Sequence, residues 1–223
     1  MVTNLAYFYE TSKKLRGGKW VWVKDGNGEQ RGNVLLGGTI LNPKKGFDHL
    51  YAAQLVQYTP ATGCLIFRSF AVKANAAAEA TEYVINGDGY SDAPEVGMVI
   101  MVAPEEVTTE GQSAKITNVV YDEANEKFTI TLDNTLGSLS AGAILVEATG
   151  TAKAANATVL VPNPNTFIEA DRDLMPTEGY GIQNANYAIS TVYNKQAWIA
   201  RMQPLPSYVL EKNRSYIDGI FWI

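Results

Sequence analysis

Apolar and polar residues alternate with a period of two in the central part of the chain. The alternation is clearest at residues 114–121 and 127–132, and residues 122–126 between them are turn formers and charged residues. Successive side chains of a strand point to opposite faces, so this period indicates strands with one buried face. Two such strands joined by a short polar link predict an antiparallel hairpin.

Further apolar runs of strand length surround this hairpin. They predict strands at 64–72, 81–85, 97–103 and 143–148. The last two runs are each introduced by a loop with proline or serine and by a glycine, Gly97 or Gly142. Glycine lets the chain bend sharply before it enters a sheet. About six strands at roughly ten-residue spacing predict a small antiparallel barrel or sandwich.

The flanking parts of the chain have a different character. Residues 20–23 and 33–36 predict two strands around a strong turn signal at 25–28, and composition changes near residue 150. Residues 159–161 predict a further short strand, ended by the prolines that follow it. The expected fold class is mainly β. We expect three segments: an extended N-terminal arm or hairpin region at 1–58, the barrel or sandwich module at 59–150, and a mixed, β-rich C-terminal segment at 151–223.

Large apolar residues concentrate at the C-terminal end and in the N-terminal strand candidate. The end carries Ile220, Phe221, Trp222 and Ile223. Chain ends are usually polar, and four large apolar residues need burial. They could cover this chain's own sheet or pack into another subunit, and we expect contact between subunits.

Aromatic residues in the N-terminal quarter have two interpretations. Trp20 and Trp22 could fill a core or anchor a protein interface, or they could stack on sugar rings. We include both tryptophans, with the apolar chain end, among the candidate interface residues. The sugar-stacking alternative corresponds to a carbohydrate-binding or host-surface-binding β module.

The charge composition narrows the classes of partner. Charged residues make up 18% of the chain, the net charge is −5 and the pI is about 5.0. An acidic chain with one short basic cluster, Lys13, Lys14, Arg16 and Lys19, predicts no specific nucleic-acid partner. A neutral polar surface suits permanent contact with protein, because few charges need desolvation; it also suits an ordinary secreted-type β surface. No apolar run approaches the ~18 residues of a membrane helix, and no secretion signal is visible, so we expect no membrane partner.

Residues suited to catalysis or metal binding are sparse. His49 is the only histidine and Cys64 the only cysteine, and Cys64 lies in an apolar run that predicts a core position. Glu169, Asp171 and Asp173 form an acidic stretch without the glycine and distal glutamate of a calcium loop. We therefore expect no catalytic residues, no metal site, no cofactor and no enzymatic activity.

Four features of residues 59–147 occur together: a Thr-Pro-x-Thr-Gly turn at 59–63, an Ala-rich entry at 71–81, the central hairpin and a closing run at 139–146. In these features the module resembles head fibre and capsid-decorating proteins of tailed bacteriophages. The resemblance implies a virion component on the capsid surface, made in the host cytoplasm, without catalytic residues. It also implies a homo-oligomer, often a trimer, attached to the major capsid protein or another virion protein.

Overall fold

The structure is a computed structural model that describes residues 33–36, 40–45, 48–89, 92–150, 153–168, 172–174, 190–193 and 202–212. This part of the chain contains thirteen strands and a π-helical turn at Tyr208–Lys212. The strands are β1 Asn33–Leu36, β2 Asp48–Leu50, β3 Leu55–Thr59, β4 Gly63–Ile66, β5 Ser69–Ala71, β6 Glu82–Asn86, β7 Val99–Val102, β8 Ser113–Asp122, β9 Lys127–Leu132, β10 Ile144–Glu147, β11 Thr166–Ile168, β12 Arg172–Leu174 and β13 Ser190–Tyr193. The mainly β fold expected from the sequence is confirmed.

The described residues divide into two compact units that interleave along the chain. Unit 1 comprises described residues up to Phe67 and from Asn163 to Met202. Unit 2 comprises Arg68–Pro162 and Gln203–Lys212. The expected division of the chain into segments 1–58, 59–150 and 151–223 stays a prediction.

Unit 1 contains a five-stranded sheet with the order β1-β13-β11-β3-β4 and a two-stranded sheet of β12 and β2, all paired antiparallel. Its core contains Ile40, Leu50, Val56, Cys64, Ile66 and Ile168. Cys64 is fully buried, as its apolar surroundings predict.

Unit 2 contains a six-stranded antiparallel sheet with the order β5-β10-β7-β8-β9-β6. The long strand β8 pairs with β7 through its first half and with β9 through its second half. A register shift between Ile116 and Asn118 leaves Thr117 as an extra residue, and such bulges bend a strand. One isolated bridge, Val72 to Ile85, links the two edges of the sheet. No continuous ladder joins these edges within the described residues, so the module is sandwich-like and not a closed barrel.

Gly97 and Gly142 mark equivalent turns before neighbouring strands. Their φ angles are 101° and 93°, a region that glycine enters without steric cost. The turns are closed by hydrogen bonds from the Met98 N–H to the Glu95 carbonyl and from the Ala143 N–H to the Ser140 carbonyl. The strands that follow, β7 and β10, pair with each other. The sharp bends predicted from these two glycines are therefore present.

Two predicted strands differ from the observed ones. The single strand predicted at 64–72 is two strands, β4 and β5, because the chain leaves unit 1 at Phe67 and enters unit 2 at Arg68. The strand expected at 159–161 is instead one isolated bridge, between Val159 and Ala148.

Candidate functional site

The candidate interface residues chosen from the sequence lie outside the described residues. They are Trp20, Trp22, Ile220, Phe221, Trp222 and Ile223. The carbohydrate-binding alternative depends on the same tryptophans, so it also stays a prediction. A candidate site must therefore be built from the described surface and from the described polar clusters.

His49 lies on β2 in the interior of unit 1. It is 3% exposed and its ring packs edge-on against Tyr51, with the centroids 4.4 Å apart. Asp173 on β12 is its backbone partner in the two-stranded sheet, whereas Glu169 and Asp171 lie outside the described residues. Within the described ranges, no three His, Cys, Asp or Glu side chains are grouped closely enough to hold a metal ion. His49 therefore has the environment of a packed core residue.

A buried ion cluster in unit 2 is the densest group of charges in the described interior. Arg68 donates from Nε to the Asp92 carboxylate at 2.8 Å and from Nη1 to the Glu147 carboxylate at 3.2 Å. The side chains of Arg68 and Asp92 are 0% and 1% exposed. Charge-assisted hydrogen bonds of this kind compensate part of the desolvation cost. Sequence reasoning missed the cluster, because its members are 24 and 79 positions from Arg68.

The Arg68 cluster fixes chain segments rather than presenting a reactive group. Arg68 begins unit 2, Asp92 lies in a loop and Glu147 ends β10, so one guanidinium holds three distant segments together. The Arg68 carbonyl also accepts from the Glu147 N–H at 3.3 Å. Arginine stays protonated in proteins, so this group supplies a permanent positive charge and not a transferable proton.

The solvent-facing side of the β8–β9 ladder, here called the ladder face, is the candidate interaction surface. Its centre has two cross-strand pairs, Val120 with Thr129 and Asn118 with Thr131. Alternate residues of β9, such as Ile130, are buried, which places the threonines on the outer side. Val120 is 53% exposed. The centre is therefore uncharged and built from short side chains.

The two ends of the ladder face are charged, and each end holds one acid and one base. Lys127 Nζ lies 3.6 Å from Asp122 Oδ2 at the hairpin end. At the other end, Asp133 Oδ1 accepts from the Lys115 N–H at 2.8 Å. On β8 the acid Asp122 is at the hairpin end and the base Lys115 at the far end. Along β9 the order is reversed, because the strand begins at Lys127 and Asp133 directly follows its last residue. A neutral centre between charged ends resembles the core and rim of protein interfaces.

The hairpin turn fixes the charge at the Asp122 end. Asn125 donates from its side chain to Asp122 Oδ2 at 2.8 Å and from its backbone to Oδ1 at 3.2 Å. These bonds, with the nearby charge of Lys127, hold the pKa of the Asp122 carboxyl below its ordinary value of 3.8. The carboxylate is consequently ionised near neutral pH.

Val120 differs from the other exposed large apolar residues of the described surface, Leu41 and Val96. Leu41 and Val96 lie in a bend and a turn, whereas Val120 lies within a strand. It is thus the one of the three that lies within a paired strand. Sequence alternation across 114–121 could have indicated this face, but the bulge at Thr117 changes which residues share it.

No protein-family model matches the chain, and no curated protein matches it. The helical residues that the structure describes include no segment long and apolar enough to span a membrane.

Proposed function

We propose that this chain is a non-enzymatic structural protein of a bacteriophage virion, attached to the capsid surface as a head fibre or decoration protein. It would be made in the host cytoplasm and assemble as a homo-oligomer, with a trimer favoured by the family resemblance. The major capsid protein or another virion protein would be its attachment site.

The observation that carries the proposal is the ladder face of unit 2. Its centre presents Val120, Thr129, Asn118 and Thr131, which offer contact area without charges to desolvate. The low share of charged residues, 18%, extends the same argument to the chain as a whole. The buried cluster at Arg68 supports it further, because those charges are engaged with one another inside the module.

Particle fractionation tests the proposal. Virions from cells that express this chain would be purified on a density gradient and analysed by quantitative mass spectrometry. We expect the chain to co-sediment with the major capsid protein at a fixed copy ratio that survives a wash in high salt. Its absence from purified particles, with the chain recovered only in the soluble lysate, would reject the proposal.

A binding experiment separates capsid attachment from incidental trapping. Particles assembled without the chain would be mixed with the purified protein at increasing concentration. Attachment to defined capsid sites predicts saturation at the copy ratio found in native virions. Binding that never saturates, or none at all, contradicts a decoration role.

A further inference from the structure

We propose that the ladder face is a self-complementary contact that pairs with the ladder face of a second copy of this chain, with the strands of the two copies running in opposite directions. This contact goes beyond the proposed function, since it would exist in solution and does not depend on a capsid.

The arrangement of charges on the ladder face points to a second copy as its occupant. Consider a two-fold axis that lies between the two faces and runs perpendicular to the strands at the level of Ile130. This axis places each strand opposite the same strand of the other copy, running in the reverse direction. Lys127 then faces the partner's Asp133, and Asp122 faces the partner's Lys115, because these residues lie at opposite ends of the same strands. Each of the four end charges thereby meets an opposite charge of the other copy.

The same charges disfavour one of the other face-to-face arrangements. If the two-fold axis ran along β9, Lys127 would face the partner's Lys127 and Asp133 would face the partner's Asp133. Like charges placed opposite each other are destabilising and disfavour such a pairing. If the axis ran along the strands midway between β8 and β9, Lys127 would face the partner's Asp122 and Asp133 would face the partner's Lys115. The charge-mixing experiment below distinguishes this arrangement from the reversed one, because only the reversed one brings positions 127 and 133 of the two copies together.

The neutral centre allows the two faces to approach. In the reversed arrangement Thr129 faces the partner's Thr131, and Val120 faces the partner's Asn118. Val84 on β6, which pairs with Thr129, widens the centre by one strand. Glu82 on β6 lies level with Thr131 and would face the partner's Val84. It is exposed, and β6 is the edge strand of the sheet, so its carboxylate can keep its water at that edge.

The size of the face predicts weak association. Three strands about 4.8 Å apart and six residues of about 3.3 Å rise cover ~300 Å² for each copy. Standard interfaces bury about 800 Å² for each partner, so we expect a dissociation constant between about 10 µM and about 1 mM. Copies held side by side on a larger assembly would experience a far higher effective concentration.

Sedimentation velocity of the full chain, from about 10 µM to about 1 mM, measures the contact directly. We expect Val120→Asp to weaken association by about tenfold or more, because it adds a charge to the neutral centre. Val96→Asp is the matched control, since Val96 is 51% exposed and lies outside the ladder face. Equal effects of the two substitutions, or a wild-type chain that stays monomeric throughout, would overturn the proposal.

A charge-mixing experiment tests the direction of the pairing. A Lys127→Glu chain carries only acids at positions 127 and 133, and an Asp133→Lys chain carries only bases there. Each variant alone should associate about tenfold more weakly than wild type, whereas an equimolar mixture should recover most of the loss. Glu105→Lys, on an exposed loop, controls for a change of net charge.

Other outcomes of the mixing experiment are equally decisive. A mixture no tighter than its separate components rejects the antiparallel pairing, even if the chain associates through another surface. Thermal melts establish that each variant is folded, and Asp133→Asn, which keeps an oxygen for the Lys115 N–H, provides a milder second variant that should also weaken association. Association through other segments is common to all variants and cancels in the comparison.

Discussion

Two buried tyrosines of unit 2 differ in how their hydroxyl groups are satisfied. Tyr83 donates to the Ala80 carbonyl at 2.7 Å and accepts from the Leu136 N–H at 2.8 Å. Tyr208 is equally buried, at 1% exposure, but its hydroxyl has no hydrogen-bond partner among the described residues. Burial raises the pKa of Tyr208 well above its ordinary value of 10.0, so its hydroxyl stays neutral.

This contrast predicts opposite effects for the same substitution. Tyr83→Phe should lower the free energy of unfolding by about 1–3 kcal/mol, because the Leu136 N–H loses its acceptor inside the module. Tyr208→Phe should be neutral or stabilising by up to about 1 kcal/mol, since it removes a hydroxyl that burial desolvates without compensation. Urea denaturation of both variants checks this. A large loss for Tyr208→Phe would show that its hydroxyl is engaged.

The guanidinium of Arg68 gives a second prediction at the scale of single residues. Arg68→Ala should lower the free energy of unfolding by about 3–5 kcal/mol, because it leaves the Asp92 and Glu147 carboxylates without their cation. Lys127→Ala is the comparison, since its ion pair with Asp122 is 37% and 35% exposed and such pairs contribute about 0–1 kcal/mol. Similar losses for the two variants in urea denaturation would contradict a stabilising role for the buried cluster.

The Asp122 carboxyl gives a prediction for pH. Its pKa is lowered in the folded chain, chiefly by the side chain of Asn125, so the stabilisation is present above the ordinary value of 3.8 and is lost as the pH falls through the folded value. Asn125→Ala should raise the pKa of Asp122 toward 3.8. Carboxyl carbon shifts followed by NMR from neutral to acidic pH measure this directly. An unchanged midpoint would mean that Asn125 does not set the charge of the turn.

At the scale of elements, the outer edge of β4 is protected by the short segment before β2. The Leu41 N–H donates to the Cys64 carbonyl at 2.8 Å. The Asn42 side chain donates to the Ile66 carbonyl and accepts from the Ile66 N–H, both at 2.8 Å. A side-chain amide thus replaces a neighbouring strand, and covered edges resist pairing with other chains.

Substitutions at Asn42 should therefore loosen this edge. Asn42→Ala removes both bonds and should lower the free energy of unfolding by about 1–3 kcal/mol, with faster hydrogen exchange at the Ile66 amide. Asn42→Asp keeps the acceptor for the Ile66 N–H and should retain more of that amide's protection. Protection at Ile66 that is the same in all three proteins would show that the amide does not close the edge.

Element prediction from sequence succeeded where one strand corresponds to one periodic run. The strands β1 and β9 have the predicted bounds, and β7, β8 and β10 differ by one or two residues at each end. It failed at 64–72, because a continuous apolar run gives no sign that the chain changes sheets at Phe67–Arg68. Short strands such as β11 and β12 were also not predicted, since three residues carry no usable period.

At the scale of the whole molecule, the chain order hides both the units and the candidate site. Unit 2 is completed by Gln203–Lys212, which follows a segment of unit 1, and composition gives no sign of such a return. One end of the ladder face can be predicted from the sequence, because Asp122 and Lys127 flank a predicted turn. The pairing of Lys115 with Asp133 at the other end cannot be predicted, because the bulge at Thr117 shifts the register of β8.

The segment Gln203–Lys212, which returns to unit 2, allows a final prediction about what stabilises that unit. Val209 is fully buried, and the Ser69 hydroxyl on β5 donates to the Pro204 carbonyl at 2.5 Å. Val209→Ala should therefore lower the free energy of unfolding by about 1–3 kcal/mol through loss of buried volume. Hydrogen exchange should show the loss of protection in the strands of unit 2. Ser207→Ala is the matched control, because Ser207 is exposed on the same segment and its substitution should change little. Shortening a tightly packed side chain leaves an unfilled cavity, which should lower hydrogen-exchange protection in unit 2. If protection in Val209→Ala equalled that of the native chain, the segment would cover unit 2 without stabilising it.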